Sequence, residues 1–147
     1  DDRSLLRQSE DDLEILSFPE GVDVTENTVA IFPELEASLG HQEKRGARKR
    51  SFLMESMRPG SLVDRCVPRL LLFPTVAPHD RSEPQRASKS WALQQLLPHS
   101  LLVFDPQAAA MQFDALSSLV EGSECYSLRC GRDVRDLPEM VRRLLKG

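Results

Sequence analysis

The chain has 147 residues, 40% of them hydrophobic and 29% charged, which is enough for one buried core and too few to expect two. Its formal net charge of −4, from 23 acidic and 19 basic side chains, gives no general attraction to nucleic-acid backbones or anionic membrane surfaces, so any polyanion site must be local. No stretch approaches the ~20 apolar residues of a membrane-spanning helix, and Cys66, Cys125 and Cys130, without CxxC spacing, fit a reducing cytoplasm better than a disulfide framework or a zinc site.

The sequence opens on Asp1 rather than Met, with no signal sequence ahead of a strand-like segment, so the amino terminus reads as cut. Ser4 to Arg7 and Leu13 to Ser17 are apolar-rich runs on either side of a polar stretch, the pattern of a β-hairpin. Phe18-Pro19-Glu20-Gly21 ends it. Thr25 can then cap a helix carrying Val29, Phe32 and Leu35, which Pro33 makes kinked or short and Gly40 stops. His41 to Arg50 holds Lys44, Arg45, Arg48, Lys49 and Arg50 with almost no apolar residue, so a solvated loop is expected, followed by a short helix bearing Phe52, Leu53 and Met57.

Pro68 to Pro74 encloses Leu70-Leu-Leu-Phe73, a continuous apolar run expected to form a central strand covered on both faces. His79 to Ala87 reads as a polar loop. Ser88 or Ser90 can cap a helix with Trp91, Leu93, Leu96 and Leu97, ended by Pro98, and Leu101 to Phe104 reads as a second buried strand. Asp105 followed by Pro106 starts a helix with Ala109, Phe113, Leu116 and Val120 on one face, closed by Gly122. Cys125 to Cys130 alternates as a half-buried strand, and Asp136 can cap a final amphipathic helix with Leu137, Met140, Val141, Leu144 and Leu145. Strands and helices in alternation imply an α/β sheet covered by helices.

No phosphate-binding GxxxxGK[ST], dinucleotide GxGxxG, GxSxG or HExxH pattern is present, so no self-sufficient catalytic signature marks the chain. Two charged features stand out. Asp1-Asp2 are adjacent carboxylates ahead of a strand, suited to holding Mg²⁺ and accepting a hydroxyl proton, or else solvated acids at a frayed end. Lys44 to Arg50 could close over phosphate oxygens, or be no more than a solvated loop; acidity and the lack of interleaved aromatics disfavour nucleic acid. His41, His79 and His99 have no spacing suited to a shared metal, and Trp91 and Tyr126 sit at packing positions.

The Asp1-Asp2-Arg3 opening, Gly21-Val-Asp-Val-Thr-Glu26 leading to Phe32-Pro-Glu-Leu35, Lys49-Arg50-Ser-Phe52, Pro68-Arg-Leu-Leu-Leu-Phe-Pro74, Ala92-Leu93 to Leu97-Pro98 and Cys125-Tyr-Ser-Leu-Arg-Cys-Gly-Arg-Asp133 together resemble the latter half of HPr kinase/phosphorylase-related proteins of the phosphoenolpyruvate-carboxykinase-like superfamily. The resemblance implies that residues 1–147 are the carboxy-terminal part of one kinase domain, a mixed sheet with flanking helices incomplete at its amino end. It assigns Asp1 and Asp2 to catalysis and Mg²⁺, and makes Arg48, Lys49 and Arg50 contacts of the nucleotide phosphates. ATP would be the phosphoryl donor, and a protein serine or a small molecule the acceptor, with no nucleic-acid or membrane partner. A non-catalytic binding module of the same fold is the alternative. The Gly-rich loop that cradles a triphosphate is absent from the printed residues, so this chain alone is expected to bind ATP weakly or not at all. An open sheet edge and association between copies are expected from the same incompleteness.

Overall fold

A computed structural model describes residues 4–9, 12–17, 21–39, 49–100 and 105–146. The chain is mixed α/β, with three small sheets among the described residues, and is divided into two compact units, Asp1–Leu6 with Ile15–Cys66 and Arg7–Glu14 with Val67–Gly147. Among the described residues no helix is long and apolar enough to cross a membrane.

The expected hairpin is present as β1 (Leu5–Gln8) and β2 (Leu13–Leu16), which contributes residues to both units. Its turn is held by Ser9, whose N–H and hydroxyl both donate to the Asp12 carbonyl at 2.8 Å. The Arg7 guanidinium meets the Glu14 carboxylate across the strands at 2.6 Å. The short strand β5 (Arg65–Cys66) runs antiparallel to β2, with Ile15 opposite Cys66 and Leu16 opposite Arg65.

The rest of the first unit is built around a two-stranded antiparallel ladder. β3 (Val22–Thr25) leads directly into α1 (Glu26–Ile31), and the Thr25 hydroxyl accepts from the Thr28 N–H at 3.4 Å, as its position predicts. Pro33 ends that helix within two turns because it has no N–H to continue the ladder, and a 3-10 segment, Pro33–Ser38, follows. β4 (Lys49–Phe52) pairs with β3, so that Val22 faces Phe52 and Val24 faces Arg50. Val24, Leu35, Leu39 and Phe52 form the buried cluster, with Val22, Val29, Phe32, Met54 and Met57 packed around it. Two expectations are corrected here. Lys49 and Arg50 belong to a strand and not to the loop, and Phe52 closes that strand, leaving α2 (Met54–Met57) as a single turn. The pairing to β3, which buries Phe52, outweighs the helical spacing of Phe52, Leu53 and Met57.

In the second unit β6 (Leu70–Val76), β7 (Glu83–Arg86) and β8 (Glu124–Cys130) form a sheet of order β6-β8-β7. β6 runs parallel to β8 with Leu70 opposite Glu124, and β7 runs antiparallel with Glu83 opposite Arg129. Among the described residues the central strand is therefore β8, and β6, expected at the centre, lies at an edge. Its Pro74 and the Pro84 of β7 explain this, since proline cannot donate to two neighbours and is confined to edges, whereas β8 has none. β7 also occupies part of the segment expected to be loop; all four of its residues are exposed, so no apolar pattern announces it.

α3 (Lys89–Ser100) and α4 (Pro106–Gly122) cover one face of the sheet. The Ser88 hydroxyl accepts from the Trp91 N–H at 3.2 Å, and the Asp105 carboxylate from the N–H groups of Gln107 and Ala108 at 2.9 and 3.1 Å. α3 does not stop at Pro98 as expected but runs on to Ser100; exposed Gln94, four residues earlier, can offer its freed carbonyl to water. Ala92, Val120 and Cys125 form the core, flanked by Leu71, Phe73, Trp91, Leu93 and Leu96. Phe73 and Trp91 meet edge to face with centroids 5.1 Å apart. The Lys89 ammonium reaches into the carboxyl end of α4, donating to the carbonyls of Val120 at 2.7 Å, Glu121 at 3.2 Å and Ser123, where the helix dipole favours a cation. After β8, a 3-10 turn (Val134–Asp136) precedes α5 (Leu137–Leu144). Asp136 stands at its start without a side-chain capping bond, because its own backbone is already helical. The segment from Leu101 to Phe104 lies outside the described residues.

Candidate functional site

Of the residues singled out for phosphate chemistry, Asp1, Asp2 and Arg48 lie outside the described residues. Lys49 and Arg50 are consecutive in β4, so the strand's two-residue period sends their side chains to opposite faces. Arg50, opposite Val24, shares the face of the buried cluster. Its guanidinium makes a two-pronged contact with Glu36 of the 3-10 segment, at 2.8 and 2.6 Å. That contact holds the Glu36 carboxyl below its ordinary range, the Arg50 hydrogen bonds being the main cause. A phosphate seeking a two-pronged contact with the same donors of Arg50 would compete with Glu36. Lys49, at the first position of the strand opposite Thr25, is exposed.

A second polar cluster lies in the other unit, at the carboxyl ends of the parallel strands β6 and β8, the end of an α/β sheet at which ligands commonly bind. The connection from β6 to β7 crosses from one edge of the sheet to the other, over the end of β8. Ser82 fastens it there. Its N–H donates to both Asp133 carboxylate oxygens, at 2.8 and 3.0 Å, and its hydroxyl to one of them at 2.6 Å. The same hydroxyl accepts from the Gly131 N–H at 2.9 Å. The Arg132 N–H adds a bond to the His79 carbonyl at 3.0 Å, and the Ala77 N–H one to that of Cys130 at 3.0 Å. Gly131 passes so close to the crossing segment that a Cβ there would lie 2.5 Å from the Arg81 carbonyl carbon.

The bonds from the Ser82 hydroxyl and N–H hold the Asp133 carboxyl below its ordinary range. Such a carboxylate is a poor proton acceptor, and with the Ser82 hydroxyl both donating and accepting, the pair works as a fastener. Around it, Arg129 bonds Glu83 at 3.3 Å and touches the His79 ring nitrogen, while Arg132 and Asp80, 3.9 Å apart, are 82% and 93% exposed, too open for their attraction to count for much. Sequence reasoning noticed both segments, as a polar loop and as part of a family likeness, and missed their union, because Ser82 and Asp133 are 51 positions apart.

No family model, curated protein or solved structure matches the chain. Among the described residues no group of three or more His, Cys, Asp and Glu is placed to hold a metal ion. Burial pushes the Cys125 thiol up from its ordinary range, and its sulfur rests against the Val120 and Ser123 carbonyls at 4.0 and 3.6 Å. It is a packing residue.

Proposed function

We propose that this chain is the carboxy-terminal portion of an ATP-dependent cytoplasmic kinase of the phosphoenolpyruvate-carboxykinase-like type, which passes a phosphoryl group to the hydroxyl of a protein serine or a small molecule. The observation that carries this is the Asp1-Asp2 pair, followed in sequence after Arg3 and Ser4 by strand β1: adjacent carboxylates would suit the activation of an attacking hydroxyl. Mg²⁺, held by Asp1 and Asp2, would neutralise charge on the transferring phosphoryl group. The phosphate-binding loop would come from residues ahead of Asp1 in the intact protein. Arg48 and Lys49 would contact the nucleotide phosphates, and Arg50 would join them after release from Glu36.

The deciding experiment is ATP turnover by the intact protein with Mg²⁺. Asp2→Asn should lower turnover by about 10²–10⁴-fold, the usual contribution of a positioned proton acceptor, with an unchanged circular dichroism spectrum. Undiminished turnover removes the assigned role. A second reading, a non-catalytic binding module, is favoured by Arg50 being tied to Glu36 and Asp133 to Ser82, which leaves both engaged in holding the fold. It would be supported by an intact protein that has no Gly-rich GK[ST] loop and does not turn over ATP.

A further inference from the structure

We infer that residues 77–82, the connection that crosses the end of β8, are a latch: they lift off and reclose as one unit while the sheet stays folded, and the Ser82–Asp133 pair sets how often they open. The strap has room to move. It joins two edges of the sheet that lie two strand spacings apart, about 10 Å, whereas the chain from Val76 to Glu83 reaches about 23 Å when extended. More than half of that reach is slack, so the strap can rise without drawing Val76 or Glu83 out of their pairing with Cys130 and Arg129.

Nor is it anchored by apolar burial. Pro78, His79, Asp80 and Arg81 are all exposed, and only Ala77 and Ser82 are half-buried. Beside it, Val76 is 97% exposed. Lifting such a segment breaks hydrogen bonds and uncovers very little hydrophobic surface, which is the character of a low-stability opening unit. Those bonds converge on one residue. The Ser82 hydroxyl donates to Asp133 and accepts from the Gly131 N–H, and the Ser82 N–H also goes to Asp133. Displacing Ser82 therefore breaks them together, and the His79 carbonyl then leaves the Arg132 N–H. The open form uncovers the carboxyl end of β8, with the Gly131 and Arg132 N–H groups released from the strap. This inference does not depend on the phosphotransfer proposal.

Amide exchange of the 147-residue chain across a series of low urea concentrations tests it. The Ser82 and Arg132 amides should share one opening equilibrium that urea barely changes, because little surface is exposed, whereas Tyr126 and Leu128 in the middle of β8 should exchange more slowly and with a steep urea dependence. Ser82→Ala removes the hydroxyl and leaves untouched the bond from Arg132 to His79. It should nevertheless speed exchange at Arg132 by about 10–100-fold, the effect of losing a hydrogen bond to a charged group, with no gain in urea dependence. If that variant does not fold, Asp133→Asn must give the acceleration instead. Strap amides that exchange with the steep urea dependence of Tyr126 and Leu128, or an Arg132 amide indifferent to the folded variant, would each overturn the inference.

Discussion

A methyl group at position 131 would lie 2.5–2.8 Å from three backbone atoms of Arg81, and backbone, unlike the end of a long side chain, cannot swing aside. Gly131→Ala should therefore cost about 1–3 kcal/mol, the range for forcing atoms into a packed site, measured as a lower urea midpoint; an unchanged midpoint would mean that the crossing segment yields. Its neighbour Asp133 predicts a dependence on pH. Bonding by Ser82 lowers the folded-state pKa of Asp133, so the stabilisation is complete above the unfolded value of about 3.9 and disappears as pH falls through the lower folded value. The gap in urea midpoint between the wild type and Asp133→Asn should stay constant from neutrality down to about pH 5 and narrow below about pH 4. Curves that stay parallel into the acid range would show that the carboxylate contributes nothing through its charge.

Capping is where local sequence spoke most clearly. Thr25, Ser88 and Asp105 each bond an N–H two or three residues ahead, so the whole interaction fits in the window that spacing can sample. Asp105→Ala should lower stability by about 1 kcal/mol, read as a shift in the urea midpoint; no shift would mean that Pro106 and the packing of α4 suffice to start the helix. The strands were less legible. Leu70 to Phe73 look central by composition, yet Pro74, the next residue and still within β6, already carried the contrary signal. β7 is a strand because of what its backbone pairs with, and its side chains, Glu83, Pro84, Gln85 and Arg86, show no trace of that pairing. Arg50 illustrates the same limit: its charge was visible within a basic run, but its engagement by Glu36 arises from the β3–β4 ladder that brings the two together.

At the scale of the molecule, the mixed α/β class was readable from alternating periodicities, whereas the order of strands in each sheet was not, since it depends on contacts between distant residues. β8 shows what such order entails. It alone, among the described residues, joins β6 to β7, although Leu70 and its partner Glu124 are separated by two helices. A chain emerging from the ribosome would thus carry β6 and β7 as two unmatched ribbons until Glu124–Cys130 were made. Protein synthesis adds about 5–20 residues per second, which leaves that interval at a few seconds, during which the helices must shelter Leu71 and Phe73 without a sheet to rest on. Nascent chains stopped before Glu124 are where protease sensitivity and chaperone dependence of this unit should concentrate.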